Sequence, residues 1–186
     1  YCEGHYFQGT TPEIESVATS LAYLHVVLRE FPVNLSDVSQ YEDLTPAELN
    51  AAKLRLSGKS RTQFEGLAAA VMEEVLAIYK AFEPISWPGE LPIQPIQLDC
   101  QPKNVVFRDS KQAVLFDLGR ICRLERMLAV SFTCHRFTGF TPTRVRSFMG
   151  AYHRVDPLTP NEITLYPLFV GRAAIRRVNY VIRSHF

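Results

Sequence analysis

Asp99, Asn104 and Asp117 are the residues of this chain whose types and spacing suit chemistry. An amide oxygen and a carboxylate held close together suit Mg2+, which takes few protein ligands and completes its octahedron with water and nucleotide oxygens. A second carboxylate beside them can accept the proton of an attacking hydroxyl while the metal neutralises charge on a transferred phosphoryl group. Asp99 stands five residues before Asn104, in a loop shaped by Pro102. One base followed by two ligands is the pattern expected of a phosphoryl-transfer site.

The element that must bring the two ligands together is a β-hairpin. Val105-Val106-Phe107 and Val114-Leu115-Phe116 are short β-prone runs, separated by the polar stretch Arg108 to Gln112. With Ser110 and Lys111 at the tip, antiparallel pairing sets Asp109 opposite Gln112 and Asn104 opposite Asp117. Opposed residues have Cα atoms roughly 5 Å apart, so this register predicts a shared cation at the open end of the hairpin.

Around the hairpin the pattern is helical. Thr11-Pro12, Thr45-Pro46, Thr141-Pro142 and Thr159-Pro160 each combine a side-chain oxygen able to cap free N–H groups with a proline suited to the first turn. Thr45 with Glu48 and Thr159 with Glu162 have the spacing of a reciprocal capping box. Ile14, Val17, Ala18, Leu21, Leu24, His25 and Leu28 form one buried stripe ending before Pro32. A similar stripe runs from Phe64 to Phe82 and stops at Pro84. Pro84 to Pro95 reads as an extended connector leading into the Asp99 loop. Three further helices are predicted over Leu124–Phe137, Pro142–His153 and Pro160 to about Ser184.

The stretch Gln97-Leu98-Asp99-Cys100-Gln101-Pro102-Lys103-Asn104-Val105-Val106-Phe107, followed by Val114-Leu115-Phe116-Asp117-Leu118-Gly119, resembles the aminoglycoside phosphotransferase and choline kinase family. These are relatives of protein kinases whose larger lobe carries a His-x-Asp-x-x-x-x-Asn loop and a metal-binding Asp after a hairpin. Leu21-Ala22-Tyr23-Leu24-His25 is similar to the family's Leu-Ala-x-Leu-His helix, and Tyr1-Cys2-Glu3-Gly4 looks like its interlobe hinge. The resemblance covers essentially the whole chain. It implies a mainly α fold with one short β-hairpin, the C-terminal lobe of a kinase-like enzyme, with no N-terminal lobe in the chain.

By the same resemblance Asp99 is the catalytic base, Asn104 and Asp117 hold Mg2+, and Gly4, Asn104 and Asp117 lie against the cofactor ATP. Lys103 and Arg120 are candidates for phosphate or substrate contact; a structural ion pair is an equal expectation for Arg120. The implied substrate is the hydroxyl of a small molecule, and the missing smaller lobe would supply the groups that hold the ATP phosphates. Two positions depart from the family pattern. Gln97 replaces the loop histidine, and Met127-Leu128-Ala129 stands where the family has Asp-Leu-Ala. Both departures touch the bracing of the loop. They motivate an alternative reading, a kinase-like nucleotide-binding or interaction module with impaired catalysis.

Composition narrows the remaining classes. At 186 residues one domain, 1–186, is expected, with 1–9 as a hinge-like segment and 97–119 as catalytic loop and hairpin. Lys and Arg total 20 against 19 Asp and Glu, a balance that supports neither a nucleic-acid nor a membrane-surface partner. The four cysteines lack zinc spacing and disulfide density, which suits reduced thiols in a cytoplasmic protein. Cys100 reads as packing and His25 as a hydrogen-bonded core residue. The chain begins with Tyr1 in place of Met, so it is expected to start partway through a longer protein. Nothing in the pattern sets an oligomeric state.

Overall fold

In the computed structural model the described residues are 3–30, 91–108 and 112–185, with Ala47, Asn50, Glu74 and Ala77. The chain divides into two compact units, Tyr1–Val38 with Gly89–Val170, and Ser39–Pro88 with Gly171–Phe186. The first unit contains helix α1 (Thr11–Glu30), strands β1 (Ile93–Gln97), β2 (Val105–Arg108), β3 (Gln112–Leu115) and β4 (Ile121–Glu125), and helices α2 (Arg126–Thr138) and α3 (Pro142–Val155). Helix α4 (Pro160–His185) starts in it. Within the second unit the description is of the remainder of α4 and helical positions at Ala47, Asn50, Glu74 and Ala77. The expected Thr45 capping box, the helix over 64–82 apart from Glu74 and Ala77, the first part of the 84–95 connector and the residues Tyr1 and Cys2 lie outside the described residues.

α1 buries most of the stripe its periodicity predicts: Ile14, Val17, Ala18, Leu21 and His25 have no exposed surface, Leu28 is buried, and Leu24 is half-buried. The helix packs most extensively against α3, where Phe148, Ala151 and Tyr152 are equally buried. Burying a large apolar side chain contributes about 1.5–3 kcal/mol, so these two helices supply much of the core. The N-terminal cap is Thr10, one residue earlier than the Thr11-Pro12 pair suggests. Glu13 donates its backbone N–H to Thr10 Oγ1 at 3.4 Å, and Thr10 returns its N–H to Glu13 Oε2 at 2.9 Å. At α4 the predicted box forms as expected, with Thr159 N–H on Glu162 Oε2 at 2.8 Å and Glu162 N–H on Thr159 Oγ1 at 3.2 Å. α2 stops at Gly139, whose φ of 56° is the left-handed conformation that glycine adopts without a Cβ penalty.

There are two antiparallel ribbons among the described residues, one more than the sequence pattern shows. β2 pairs with β3 as the predicted hairpin, and β1 pairs with β4 from Ile93 opposite Glu125 to Gln97 opposite Ile121. The second ribbon corrects two expectations. Ile93–Gln97 is a strand where a plain connector is predicted, and residues 121–125 are a strand where the next helix was to begin at Leu124. Pro95 tolerates its place because a two-stranded ribbon leaves one edge of each strand free of ladder bonds. Gln94 and Gln97, on opposite faces of β1, are both buried, so amides stand at buried positions and break the apolar alternation that marks a strand.

A buried polar network ties the helices together. Arg126, the first residue of α2, is 4% exposed and reaches Asp156 Oδ2 and Glu162 Oε1, each at 2.7 Å. It also donates to Glu162 Oε2 and the Pro157 carbonyl. Arg29 of α1 takes the other Asp156 oxygen at 2.7 Å. Tyr152 donates its hydroxyl to Asp156 Oδ2 at 3.1 Å and meets His25 Nδ1 at 2.7 Å.

Candidate phosphoryl-transfer site

β1 delivers the chain to Asp99, and the ladder with β4 continues past its end, with Leu98 N–H donating to the Arg120 carbonyl at 3.1 Å. Asp99 and Arg120 are thereby the two exits of one ribbon. A single 3-10 turn, Pro102–Asn104, follows Asp99 and feeds β2. Proline opens it because its fixed φ suits a first helical position and its missing N–H needs no partner there.

The turn folds Asn104 back onto Asp99. Asn104, 5% exposed, donates Nδ2 to the Asp99 carbonyl at 2.9 Å and to its Oδ2 at 3.2 Å. With both amide hydrogens aimed at Asp99, the atom Asn104 has left for a cation is Oδ1. The other Asp99 oxygen, Oδ1, accepts from Gln101 Nε2 at 2.5 Å. Gln101 was not among the predicted site residues. Its one sequence signal is its place between Asp99 and Pro102.

Asp117 reaches the site by a different register from the one expected. The observed pairs are Val105 with Leu115 and Arg108 with Gln112, which leaves three residues between the last paired positions. Asn104 therefore lies across from Phe116, whose N–H donates to the Asn104 carbonyl at 3.1 Å, and Asp117 is one residue beyond. A slip of one residue turns every strand side chain to the opposite face. The slip buries Phe107 and Ala113 while Phe116 and Asp117 stay exposed. Asp117 has φ 58°, a left-handed conformation rare outside glycine, so the chain leaves the strand direction there.

The remaining candidates surround this loop. Lys103 is exposed on the 3-10 turn, and Arg120 is half-buried in the turn after Asp117. Gly4, with φ 154°, lies against β2, where an added Cβ would collide with Val106 Cγ1 and the Phe107 carbonyl. The next residue, His5, exchanges backbone hydrogen bonds with Phe107 at 3.1 and 2.9 Å. His5 Nε2 meets Glu13 Oε1 at 2.9 Å, and Glu13 also accepts the N–H groups of Gln8 and Thr10. Burial works to raise the Glu13 pKa, but these hydrogen bonds outweigh it and hold the carboxyl below its usual range. The segment bearing Gly4 is thus fastened to both α1 and the hairpin.

Cys100 is buried beside Asp99, and desolvation pushes its thiol up to about 12, so it stays protonated and packs. Met127 is wholly buried. A cavity of about 470 Å3 bounded by α1, Gln112 and Arg154 contains none of these site residues.

Among the described residues no three His, Cys, Asp or Glu side chains gather to hold an ion. Asn104 Oδ1 and the exposed Asp117 carboxylate are the oxygens that would hold Mg2+ in a nucleotide site, a set that would leave most of its octahedron to water and phosphate oxygens.

The fold is that of the C-terminal, helical lobe of the protein-kinase-like phosphotransferases, the class to which aminoglycoside phosphotransferases and choline and ethanolamine kinases belong. The solved aminoglycoside phosphotransferase of Alicyclobacillus acidocaldarius superposes with a TM-score of 0.58 at 18% identity, over 99% of this chain and 66% of that one. The Plasmodium vivax ethanolamine kinase gives 0.60 at 13%, over 99% and 56%. An amicoumacin kinase in complex with AMP-PNP, Ca2+ and Ami gives 0.63 at 10%, over 100% and 57%.

In sequence, the chain is 29% identical over 168 residues to the homoserine kinase of Bradyrhizobium sp. (strain BTAi1), a match spanning 86% of this chain and 48% of that protein. The chain thus spans about half the length of the curated relatives it matches. No protein-family profile matches it.

Proposed function

We propose that this chain supplies the base and the metal ligands of an ATP- and Mg2+-dependent kinase that phosphorylates the hydroxyl of a small molecule. Asp99 is the base, Asn104 Oδ1 and the Asp117 carboxylate are the ligands, and Gly4 borders the nucleotide. Lys103 and Arg120 meet phosphate or substrate. The observation that carries this reading is the Asn104 amide, which grips Asp99 through two hydrogen bonds and presents its oxygen away from it.

In the reaction Asp99 takes the proton as the substrate oxygen bonds to the γ-phosphorus, and the bond to the β-phosphate oxygen breaks with its electrons left on ADP. Mg2+ would neutralise the charge on the phosphate oxygens. The homoserine kinases among the relatives support a small hydroxylated amino acid as acceptor.

The test is phosphate transfer by the full-length protein to a panel of hydroxyl acceptors that includes homoserine, before and after Asp99→Asn. Transfer that Asp99→Asn abolishes supports the reading. ATP consumption that ignores the substitution, with no acceptor phosphorylated, overturns it. A second reading is favoured by Met127, which leaves α2 without the family's bracing carboxylate: a nucleotide-binding module without turnover. Mg2+-dependent ATP binding by a protein that transfers no phosphate would favour that reading, and measurable turnover would count against it.

A further inference from the structure

The cavity bounded by α1, the start of β3 and the end of α3 holds about 470 Å3, a size that suits a small molecule. None of the residues assigned to phosphoryl transfer lines it. One of its walls is fixed by hydrogen bonds. Ser16 Oγ accepts the Ala113 N–H at 2.7 Å and Ser20 Oγ donates to the Ala113 carbonyl at 2.8 Å, so α1 is clamped to β3 and both hydroxyls are engaged.

The charges that face this space are not engaged. Glu15 of α1 and Arg154 of α3 both line the cavity, and among the described residues neither side chain makes an ion pair or a hydrogen bond. The helix register explains why two opposite charges in one cavity do not meet. His25 contacts Tyr152 and Arg29 contacts Asp156, so α1 and α3 run side by side in the same direction. On that register Arg154 stands beside Val27. Its guanidinium turns back toward Gly150, where an added Cβ would lie 4.0 Å from Nη1, and so comes level with Tyr23. Tyr23 is two helical turns past Glu15, about 12 Å along the axis. Its ring, 60% exposed, lines the same space together with Gln112.

We propose that this cavity is a second binding site, which takes a small linear zwitterion with its ammonium on Glu15, its carboxylate on Arg154 and its chain along Tyr23. A single exposed charge is satisfied by water, whereas a ligand carrying both signs makes two charge-assisted contacts at once. The separation selects the ligand class. In an α-amino acid both charged groups hang from one carbon and cannot reach both ends. A six-carbon ω-amino acid, about 8 Å from nitrogen to carboxylate, with a contact of about 2.8 Å at each end, matches the span. The site does not depend on the assignment of Asp99, Asn104 and Asp117.

The experiment titrates the full-length protein with 6-aminohexanoate by calorimetry, beside hexanoate, hexylamine and glycine. Saturable binding of 6-aminohexanoate is expected, with the other three, each lacking one charge or the separation, weaker by roughly 5-fold or more. Glu15→Gln and Arg154→Gln should each weaken 6-aminohexanoate by about 5-fold while the unfolding midpoint and any phosphate transfer stay unchanged. Exchanging the charges, Glu15→Arg with Arg154→Glu, should restore binding with the ligand reversed. Equal affinity for all four probes, no saturable binding of 6-aminohexanoate, or affinity indifferent to both single substitutions would overturn the proposal. Binding lost in Asp117→Ala and kept in both cavity variants would overturn it too, by putting the ligand at the phosphoryl-transfer site.

Discussion

Arg126 and Asp99 lie in the same unit, yet their charges are handled in opposite ways. Arg126 is 4% exposed and surrounded by two buried carboxylates and a carbonyl, so each of its charged hydrogen bonds stays within the protein. Asp99 is half-buried, held by the amides of Asn104 and Gln101, with no cation among the described residues bonded to its carboxylate. Neutral donors orient a carboxylate and leave its charge in place, whereas a buried ion pair cancels it. Around Arg126 the charges join α1, α2, α3 and α4; around Asp99 the carboxylate is held by neutral amides alone among the described residues, as the proposed role of base asks.

The sharpest way to break this contrast is to remove each charge. Asp99→Asn should lower turnover by on the order of 10²–10⁴-fold while the denaturant midpoint hardly moves. A large stability loss there would make Asp99 a second structural charge. Arg126→Leu should cost about 3–5 kcal/mol in urea unfolding, because Glu162 would stay buried without its cation and Asp156 would keep only Arg29. A cost as small as that of a surface substitution would put the network on a level with the site.

A pH series sharpens the same contrast. Desolvation lowers the pKa of His25 from 6.5 to about 3, with the Asp156 charge opposing it and Arg126 and Arg29 reinforcing it. The unfolded chain therefore takes up a proton below 6.5 that the folded chain refuses. Stability should fall as pH drops between 6.5 and about 3, by up to ~1.4 kcal/mol per pH unit from this group.

Asp156 and Glu162 act further down. Burial raises their pKa values, but Arg29 and Arg126 at Asp156, and Arg126 with Thr159 at Glu162, outweigh it and hold both below their ordinary 3.8 and 4.5. Their stabilisation is present above those ordinary values and is lost as pH falls through the lower folded ones. Urea titrations at pH 7 and 5, compared with His25→Gln, test the histidine part; equal slopes in both proteins would refute it. The smallest effect is expected at Thr159→Ala, about 1 kcal/mol for a lost cap, read as a shift in the unfolding midpoint.

How much of this was legible in the sequence differs residue by residue. The α1 stripe was readable because its periodicity lies within one helix, and Thr159 and Glu162 were readable because a capping box closes over three residues. The loop from Asp99 to Asn104 was readable for the same reason, and the structure does join the two. The hairpin was legible but its register was not, since Asp109-Ser110-Lys111 carries no Asn-Gly or Asp-Gly signal to select a two-residue turn. Thr11-Pro12 drew attention from Thr10, whose partner Glu13 has the correct spacing. The β1–β4 ribbon was hidden because buried glutamines and Pro95 mask the alternation of a strand.

By itself the sequence determined the local parts: where helices begin, which faces they bury, and that a carboxylate and an amide share one short loop. Such contacts close within a turn or two of chain, so residue type and spacing are enough to specify them. The tertiary structure alone decided that Gln97 holds the carbonyl of Asp117, that Arg126 meets Asp156 and Glu162, and that Asp117 lies one residue past the pairing with Asn104. These contacts join elements far apart in the chain, and their partners are chosen by which faces pack together, a choice that leaves no periodic trace in any one segment.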